Sequence, residues 1–440
     1  MFGKSIEQIL ESNLSKSPTE ESLFRRFTYA YNNSSGYRRF LESKGISINR
    51  ILQHKDFFAI PILRKTDVFP NFRQWIVPGY KSFVFMPSSG TSGVFSFGVF
   101  DKKEMAKAPV LIDWILDRYF SVRGKKTLIL NLLPMGINVD SQICSTLSVG
   151  IRKDCAIEAL RNAAQLFHQV IVLGDALFVK SVLEDDAVGE YTRQLDLKLI
   201  VGGEFLSEGL RRYFLERLSV NDMFSSFGTA ELGLNIMHET PFSRFIRDAM
   251  GKIPGLLKAF SIGDDLDFFP MVFQYYPNLY FLESIGNELV ITPMGKRPLP
   301  LIRYAIGDKC VVFSAKEVEN TLKDFGIHHE FSGNRLPFVF FWGRDCQIEV
   351  NVNKRVSIAR VREALFNNTG LAQVITGRFF VEREGDGIKV HIQTRKDCYI
   401  DDGQVAAVIA QFCGVSTQVV HYESDAYPFL DDFERKSKHC

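Results

Sequence analysis

Phe83-Val84-Phe85-Met86-Pro87-Ser88-Ser89-Gly90-Thr91-Ser92-Gly93 joins a short apolar strand to a loop of hydroxyls and glycines. Glycines let successive backbone N–H groups turn inward, and Ser and Thr hydroxyls add donors, so such a loop can wrap a polyphosphate. It is not a Walker loop, because the G-x-x-x-x-G-K-[ST] pattern is missing, and taken alone it also reads as an ordinary loop. From this stretch to about residue 230, strand and helix patterns alternate. Lys102 to Tyr119 has a helical apolar period, and Thr127 to Leu130, Val170 to Leu173 and Leu197 to Val201 read as buried strands. A helix follows with Leu210, Phe214 and Leu218 on one face. This alternation predicts an α/β fold with a largely parallel sheet covered by helices.

Upstream, the first fifty-odd residues read as helices broken at Asn32-Asn33-Ser34-Ser35-Gly36. Downstream of about 270 the pattern turns β-rich, with a hairpin expected between 278–282 and 288–292 around Ile-Gly-Asn. Beyond Trp342-Gly343-Arg344 it changes again: strand at 347–352, helix at 357–366, paired strands at 377–382 and 389–393, helix at 405–412. We expect a large domain over 1–342, with 1–55 as a helical N-terminal extension, and a small C-terminal α+β domain over 343–440.

The 440 residues are enough for a large core and a smaller domain, and a formal net charge of +2 with interspersed signs argues against a nucleic-acid or anionic-membrane surface. No run has the apolar length of a membrane span and the first residues lack a signal-peptide core, so a cytoplasmic protein is expected. The 7 cysteines show neither C-x-x-C nor metal-site spacing and read as apolar fillers. The 39 phenylalanines are unusual; most must be core, and so many rings would also suit an apolar substrate pocket.

Two more segments carry possible chemistry. Phe224-Ser225-Ser226-Phe227-Gly228-Thr229-Ala230-Glu231-Leu232-Gly233 runs from a strand into a turn offering an aromatic ring, a hydroxyl and a carboxylate. The ring could stack on a base and the carboxylate could hold Mg²⁺ against phosphates, although Glu231 also reads as a surface carboxylate. Pro300-Leu301-Ile302-Arg303-Tyr304-Ala305-Ile306-Gly307-Asp308 ends in a Gly-Asp step, which is either a plain turn or a carboxylate accepting ribose hydroxyls.

Together with Gly202-Gly203-Glu204 and Gly343-Arg344, these segments occur in the order and spacing of the adenylate-forming superfamily. The chain most resembles its phenylacetate–coenzyme A ligase-like branch, including the acyl-protein synthetases of bacterial bioluminescence, from about residue 55 onward. The resemblance implies a phosphate-binding loop at Ser88, Ser89, Gly90, Thr91, Ser92 and Gly93. It implies an adenine-lining turn at Gly203 and Glu204, with Phe227, Gly228 and Thr229 beside the base, Phe227 standing where the family usually has tyrosine. Glu231 matches the magnesium glutamate, Asp308 the ribose aspartate and Arg344 a second ribose contact. The terminal Glu434-Arg435-Lys436-Ser437-Lys438-His439 is similar to the family's Gly-Lys-x-x-Arg segment, which puts Lys436 at the catalytic lysine, with Lys438 as fallback.

The resemblance implies ATP and Mg²⁺ as cofactors, a small-molecule carboxylate as substrate, aryl or fatty acyl favoured, and coenzyme A as acyl acceptor. The acyl pocket is expected near Leu133-Pro134-Met135-Gly136 and Gly174-Asp175. Three positions depart from the family pattern. Ala230 replaces the hydroxyl residue before the glutamate, Cys346 replaces the hinge aspartate or lysine, and Asn353 replaces a glycine of the thioester-forming face. Asn353 keeps open transfer to an amine, a sugar or a protein instead of coenzyme A, for which Cys346 and Cys440 are conceivable nucleophiles. Ala230 and Cys346 keep open a nucleotide binder whose catalysis has decayed.

Overall fold

The computed structural model describes residues 12–88, 94–262, 268–328, 335–344, 347–352, 354–429 and 433. The chain divides into two compact units, Met1–Ala108 with Ser226–Arg344, and Pro109–Ser225 with Asp345–Cys440. The architecture is mixed α/β, with sheets covered by helices, as the alternating pattern predicts.

The first helices are set by their caps. α1 (Glu20–Asn33) starts at Thr19, whose hydroxyl accepts from Ser22 N at 3.2 Å, and it buries Leu23, Phe27 and Ala30 on one stripe. Ser34 ends it and caps α2 (Ser35–Ser43) by accepting from Tyr37 N, while its own hydroxyl donates to Trp75 O. β1 (Phe83–Pro87) and β2 (Phe97–Asp101) then pair antiparallel, Pro87 opposite Phe97. The strand we expected to open the parallel sheet is therefore one arm of a separate antiparallel pair. The reason is β2: its apolar Gly-Val-Phe run gives β1 an antiparallel partner close by in sequence.

From here strands and helices do alternate: α3 (Ala108–Phe120), β3 (Thr127–Asn131), β4 (Ser145–Ser148), α4 (Lys153–Arg161), β5 (Gln169–Asp175), α5 (Ala176–Leu183), β6 (Asp196–Gly202), α6 (Glu208–Arg217) and β7 (Asp222–Thr229). Within this unit the sheet runs β4-β3-β5-β6 and then Asp222–Ser225 of β7, all parallel. β3 and nearly all of β5 are buried, as expected for central strands covered on both faces.

Next come β8 (Gly233–His238), α7 (Pro241–Lys252), β9 (Met271–Tyr275), β10 (Tyr280–Ile285), β11 (Glu288–Pro293), β12 (Tyr304–Phe313), α8 (Ala315–Asp324) and β13 (Phe338–Gly343). They make an antiparallel sheet in the order β10-β11-β12-β13-β9-β8, bordered by Ser226–Thr229 of β7. The expected hairpin is β10–β11, with Ile285 opposite Glu288. Ile246 and Met250 of α7 and Val318 and Leu322 of α8 meet Phe260, Val272, Phe338 and Phe340 in a core. Phe260 and Phe340 lie 4.6 Å apart between ring centroids, so this core absorbs part of the phenylalanine excess.

The last stretch holds β14 (Gln347–Asn351), β15 (Lys354–Ser357), α9 (Ile358–Phe366), β16 (Ile375–Glu384), β17 (Gly387–Thr394), α10 (Asp402–Cys413) and β18 (Ser416–Glu423). β14 and β15 form a hairpin; β16 and β17 pair antiparallel, and β18 returns parallel to β17 after α10. These are the expected α+β elements. They pack on α5 and α6 of their own unit so closely that a Cβ on Gly209 would lie 2.3 Å from Phe366 O.

Candidate functional site

Ser88 leaves β1 with its amide donating to Ser96 O at 3.0 Å, which closes the neck of the hydroxyl loop. The buried Ser96 hydroxyl lies 2.8 Å from Ser88 Oγ and 2.5 Å from Glu231 Oε1. Lys65 Nζ stands 3.5 Å from both Ser88 Oγ and that same carboxylate oxygen. One corner therefore joins the hydroxyl loop, the glutamate and a lysine. Ser89, Gly90, Thr91, Ser92 and Gly93 lie outside the described residues.

Glu231 sits on a tight turn in which Leu232 N donates to Thr229 O at 3.2 Å and to Thr229 Oγ1 at 3.3 Å. The turn rests on β2: a Cβ on Gly98 would fall 1.8 Å from the Ala230 carbonyl oxygen, so only glycine fits there. Tyr304 of β12 reaches the same corner; burial, then the Glu231 charge, raises its hydroxyl well above the usual range. The neighbouring Arg303 is structural, donating to Phe58 O and Ile60 O at 2.5 Å and to Glu283 at 2.9 Å.

In the same unit, Asp308 and Arg344 face each other at 3.9 Å, and Gly343 (φ +71°) keeps the backbone open beside Asp308. Phe227 packs on Phe341 with centroids 4.8 Å apart, and at Gly228 a Cβ would press to 2.8 Å from Gly233 O. A carboxylate beside a half-exposed guanidinium offers acceptors and donors for vicinal hydroxyls, and the ring offers a stacking face. Behind Asp308, Cys310 is buried and its thiol is pushed up to about 12 by burial and then by Asp308, which makes it a poor nucleophile.

The other unit holds Gly203 and Glu204 at the carboxyl end of β6, beside the end of β5. Gly203 has φ +97°, the left-handed region that glycine tolerates. The Glu204 carboxylate receives Arg362 Nη2 at 2.9 Å, and Arg362 Nη1 donates to Phe205 O at 2.8 Å. Asp175 caps α5 by accepting from Leu177 N at 2.9 Å and Phe178 N at 3.0 Å. Burial and then the Glu204 charge push its carboxyl up to about 6. Phe433 lies edge-on to Phe178 at 5.1 Å, with the Arg378 guanidinium 4.3 Å from its ring centre. Gly174 packs on Leu132, next to the segment expected to line an acyl pocket, a Cβ on Gly174 falling 3.2 Å from Leu132 Cβ. Lys436, Lys438, Cys346, Cys440 and Asn353 lie outside the described residues.

Lys65, Ser96 and Gly98 escaped the sequence reading. The only available signal was a basic pair, Arg64-Lys65, after Pro61, and the small residues that follow the glycine loop. Mg²⁺ would suit the corner: it takes few protein carboxylates and completes its shell with phosphate and water, and Glu231 could supply one oxygen ligand. Among the described residues no three His, Cys, Asp or Glu cluster as a metal cage. No helix of the described residues is long and apolar enough to cross a membrane.

No family model matches the chain, and no curated protein matches it in sequence. Solved structures do. 2-Hydroxyisobutyryl-CoA ligase in its postadenylation state with 2-HIB-AMP superposes with a TM-score of 0.68 at 14% identity, over 96% of this chain and 88% of that one. The same ligase with 2-HIB-AMP and CoA in the thioesterification state gives 0.53 at 14%, over 96% and 88%. The anthranilate CoA ligase AuaEII with anthranoyl-AMP gives 0.52 at 11%, over 81% and 66%. At these identities the likeness is one of fold: the chain has the fold of adenylate-forming ligases.

Proposed function

We propose that the chain is an adenylate-forming ligase that activates a carboxylic acid with ATP and passes the acyl group to coenzyme A. The observation that carries this reading is the corner where Ser88, Ser96, Glu231 and Lys65 meet within hydrogen-bond or ion-pair reach. A hydroxyl loop, a lysine and a metal-binding carboxylate are what a triphosphate needs around it.

The chain's residues divide the work. Backbone and hydroxyl groups of 88–93 hold the β- and γ-phosphates, Asp308 and Arg344 the ribose, and Phe227 the base. Glu231 would hold Mg²⁺, which neutralises phosphate charge when bound. A substrate carboxylate oxygen attacks the α-phosphorus while the α–β bridging P–O bond breaks and pyrophosphate leaves; Lys436 offsets the charge that builds up. Coenzyme A sulfur, as thiolate, then attacks the acyl carbon and AMP leaves with the mixed-anhydride oxygen. Lys436 belongs to the proposed small C-terminal domain, 343–440, and exclusion of water protects the anhydride. Phenylalanine content and the phenylacetate-ligase-like motifs favour an aryl or fatty acid.

Asn353 favours a second reading, in which an amine, sugar or protein side chain replaces coenzyme A. ATP–pyrophosphate exchange over a broad panel of acids tests the first half-reaction, and mass spectrometry of products with coenzyme A or amines tests the second. At least one acid should support exchange, and Lys436→Ala should abolish it while ATP binding stays within about twofold. No exchange with any acid would reduce the chain to a nucleotide binder, and unchanged exchange in the variant would remove Lys436 from the mechanism.

A further inference from the structure

The turn that carries Glu231 is held from behind by a group whose hydrogen bonds among the described residues go to Leu232 and Tyr280 and not to the carboxylate. Arg297, in the segment after β11, donates from Nη1 to Leu232 O at 2.6 Å and from Nη2 to Tyr280 Oη at 3.1 Å. Tyr280 Oη donates to the same Leu232 carbonyl at 3.0 Å. The guanidinium plane lies 5.2 Å from the Phe100 ring centre and 5.5 Å from that of Tyr280, between two aromatic faces. Its own backbone is tied down, because Tyr29 Oη of α1 donates to Arg297 O at 3.3 Å. Burial raises the nearby Glu104 carboxyl above the usual carboxylate range, and the Arg297 charge opposes that rise.

We propose that Arg297, acting through Leu232 with Tyr280, is a positioning residue that sets where the Glu231 carboxylate stands. The turn has little other freedom: Gly98 lets β2 press against Ala230, and Gly233 exits at φ +112° with Tyr280 Oη 3.4 Å from where a Cβ would be. Leu232 is fully buried, so its carbonyl has no water to fall back on, and a charge-assisted bond there is strong. A lysine could keep the charge but not the fork, since one ammonium cannot reproduce the planar two-point grip on Leu232 O and Tyr280 Oη. The chemistry this serves is the binding of a metal–polyphosphate at Glu231, and the inference rests on that assignment.

Calorimetric binding of ATP to the full chain, with Mn²⁺ and with EDTA, tests it. Arg297→Met should weaken Mn²⁺·ATP binding about tenfold, the scale of losing a partner that orients a metal ligand, and leave metal-free ATP within about twofold. Arg297→Lys should fall between, and Tyr280→Phe, which removes one donor and keeps the ring, provides a second and milder probe. In a Glu231→Gln background Arg297→Met should add less than about twofold, because two residues acting through one contact are not additive. Equal losses with and without metal, or in both backgrounds, would overturn the proposal and leave Arg297 a packing residue. If Glu231→Gln itself binds Mn²⁺·ATP like the parent, the role of Glu231 fails first and the inference with it. If Glu231→Gln weakens binding and Arg297→Met does not, only the inference falls.

Discussion

Two lysine–glutamate pairs, one in each unit, are built in opposite ways. Lys65 and Glu231 stand 3.5 Å apart with 20% and 10% of their side chains exposed. Lys180 and Glu184 stand 2.7 Å apart with 0% and 5% exposed. The first pair is long and only partly enclosed, so an incoming phosphate or cation can reach between its two charges. The second is sealed: Lys180 Nζ also donates to Ile375 O at 2.6 Å, and Glu184 accepts from Tyr213 Oη at 2.6 Å. Its charges serve cohesion, tying α5 to β16. A charged pair is evidence of a working site only when its surroundings leave it something to do.

The largest effect should come from breaking the sealed pair. Lys180→Met leaves the buried Glu184 with Tyr213 and with the partly exposed Arg395 at 3.9 Å, and should cost about 3 kcal/mol of stability by denaturant unfolding. A loss under about 1 kcal/mol would show that the pair is not sealed in solution. Glu231→Gln should do the reverse. Pyrophosphate exchange should fall about a hundredfold, as for loss of one preorganised charge, while unfolding free energy moves by less than about 0.5 kcal/mol. A clear loss of stability there would erase the contrast.

The smallest effect concerns Asp175, whose carboxyl is pushed up to about 6 in the folded chain by burial and Glu204, with Arg378 opposing. Its folded value lies above its unfolded one, so its stabilising contribution is complete below about pH 4 and is lost as pH rises through about 6. Asp175→Asn keeps the helix cap and should flatten the pH–stability curve in that window by on the order of 1 kcal/mol. An unchanged curve would mean that Asp175 is ionised throughout.

The parallel half was readable because its strands are local: β3 and β5 carry uninterrupted apolar runs between turns, β6 alternates buried and half-buried residues, and hydrophobic period alone marks them. β9 and β13 are just as apolar, yet they pair across the intervening β10, β11, β12 and α8, and nothing in either strand announces its partner. Ser88, Glu231 and Asp308 could be nominated because each lies in a contiguous motif. Ser96, Lys65 and Arg297 could not, since each earns its place by a contact distant in sequence, such as Arg297 to Leu232. β1 misled because a strand followed by a glycine loop looks alike whether a helix or a second strand comes next.

A mixed anhydride of the kind this chain is proposed to make acylates any amine it meets, including the lysines of its maker. Lys180 is out of reach, its amine closed in by Glu184 and the Ile375 carbonyl. An amine-directed label can reach it only in those moments when β16 lifts from α5. The extent of labelling at that one nitrogen therefore keeps time for an opening that spectroscopy of the whole chain would average away.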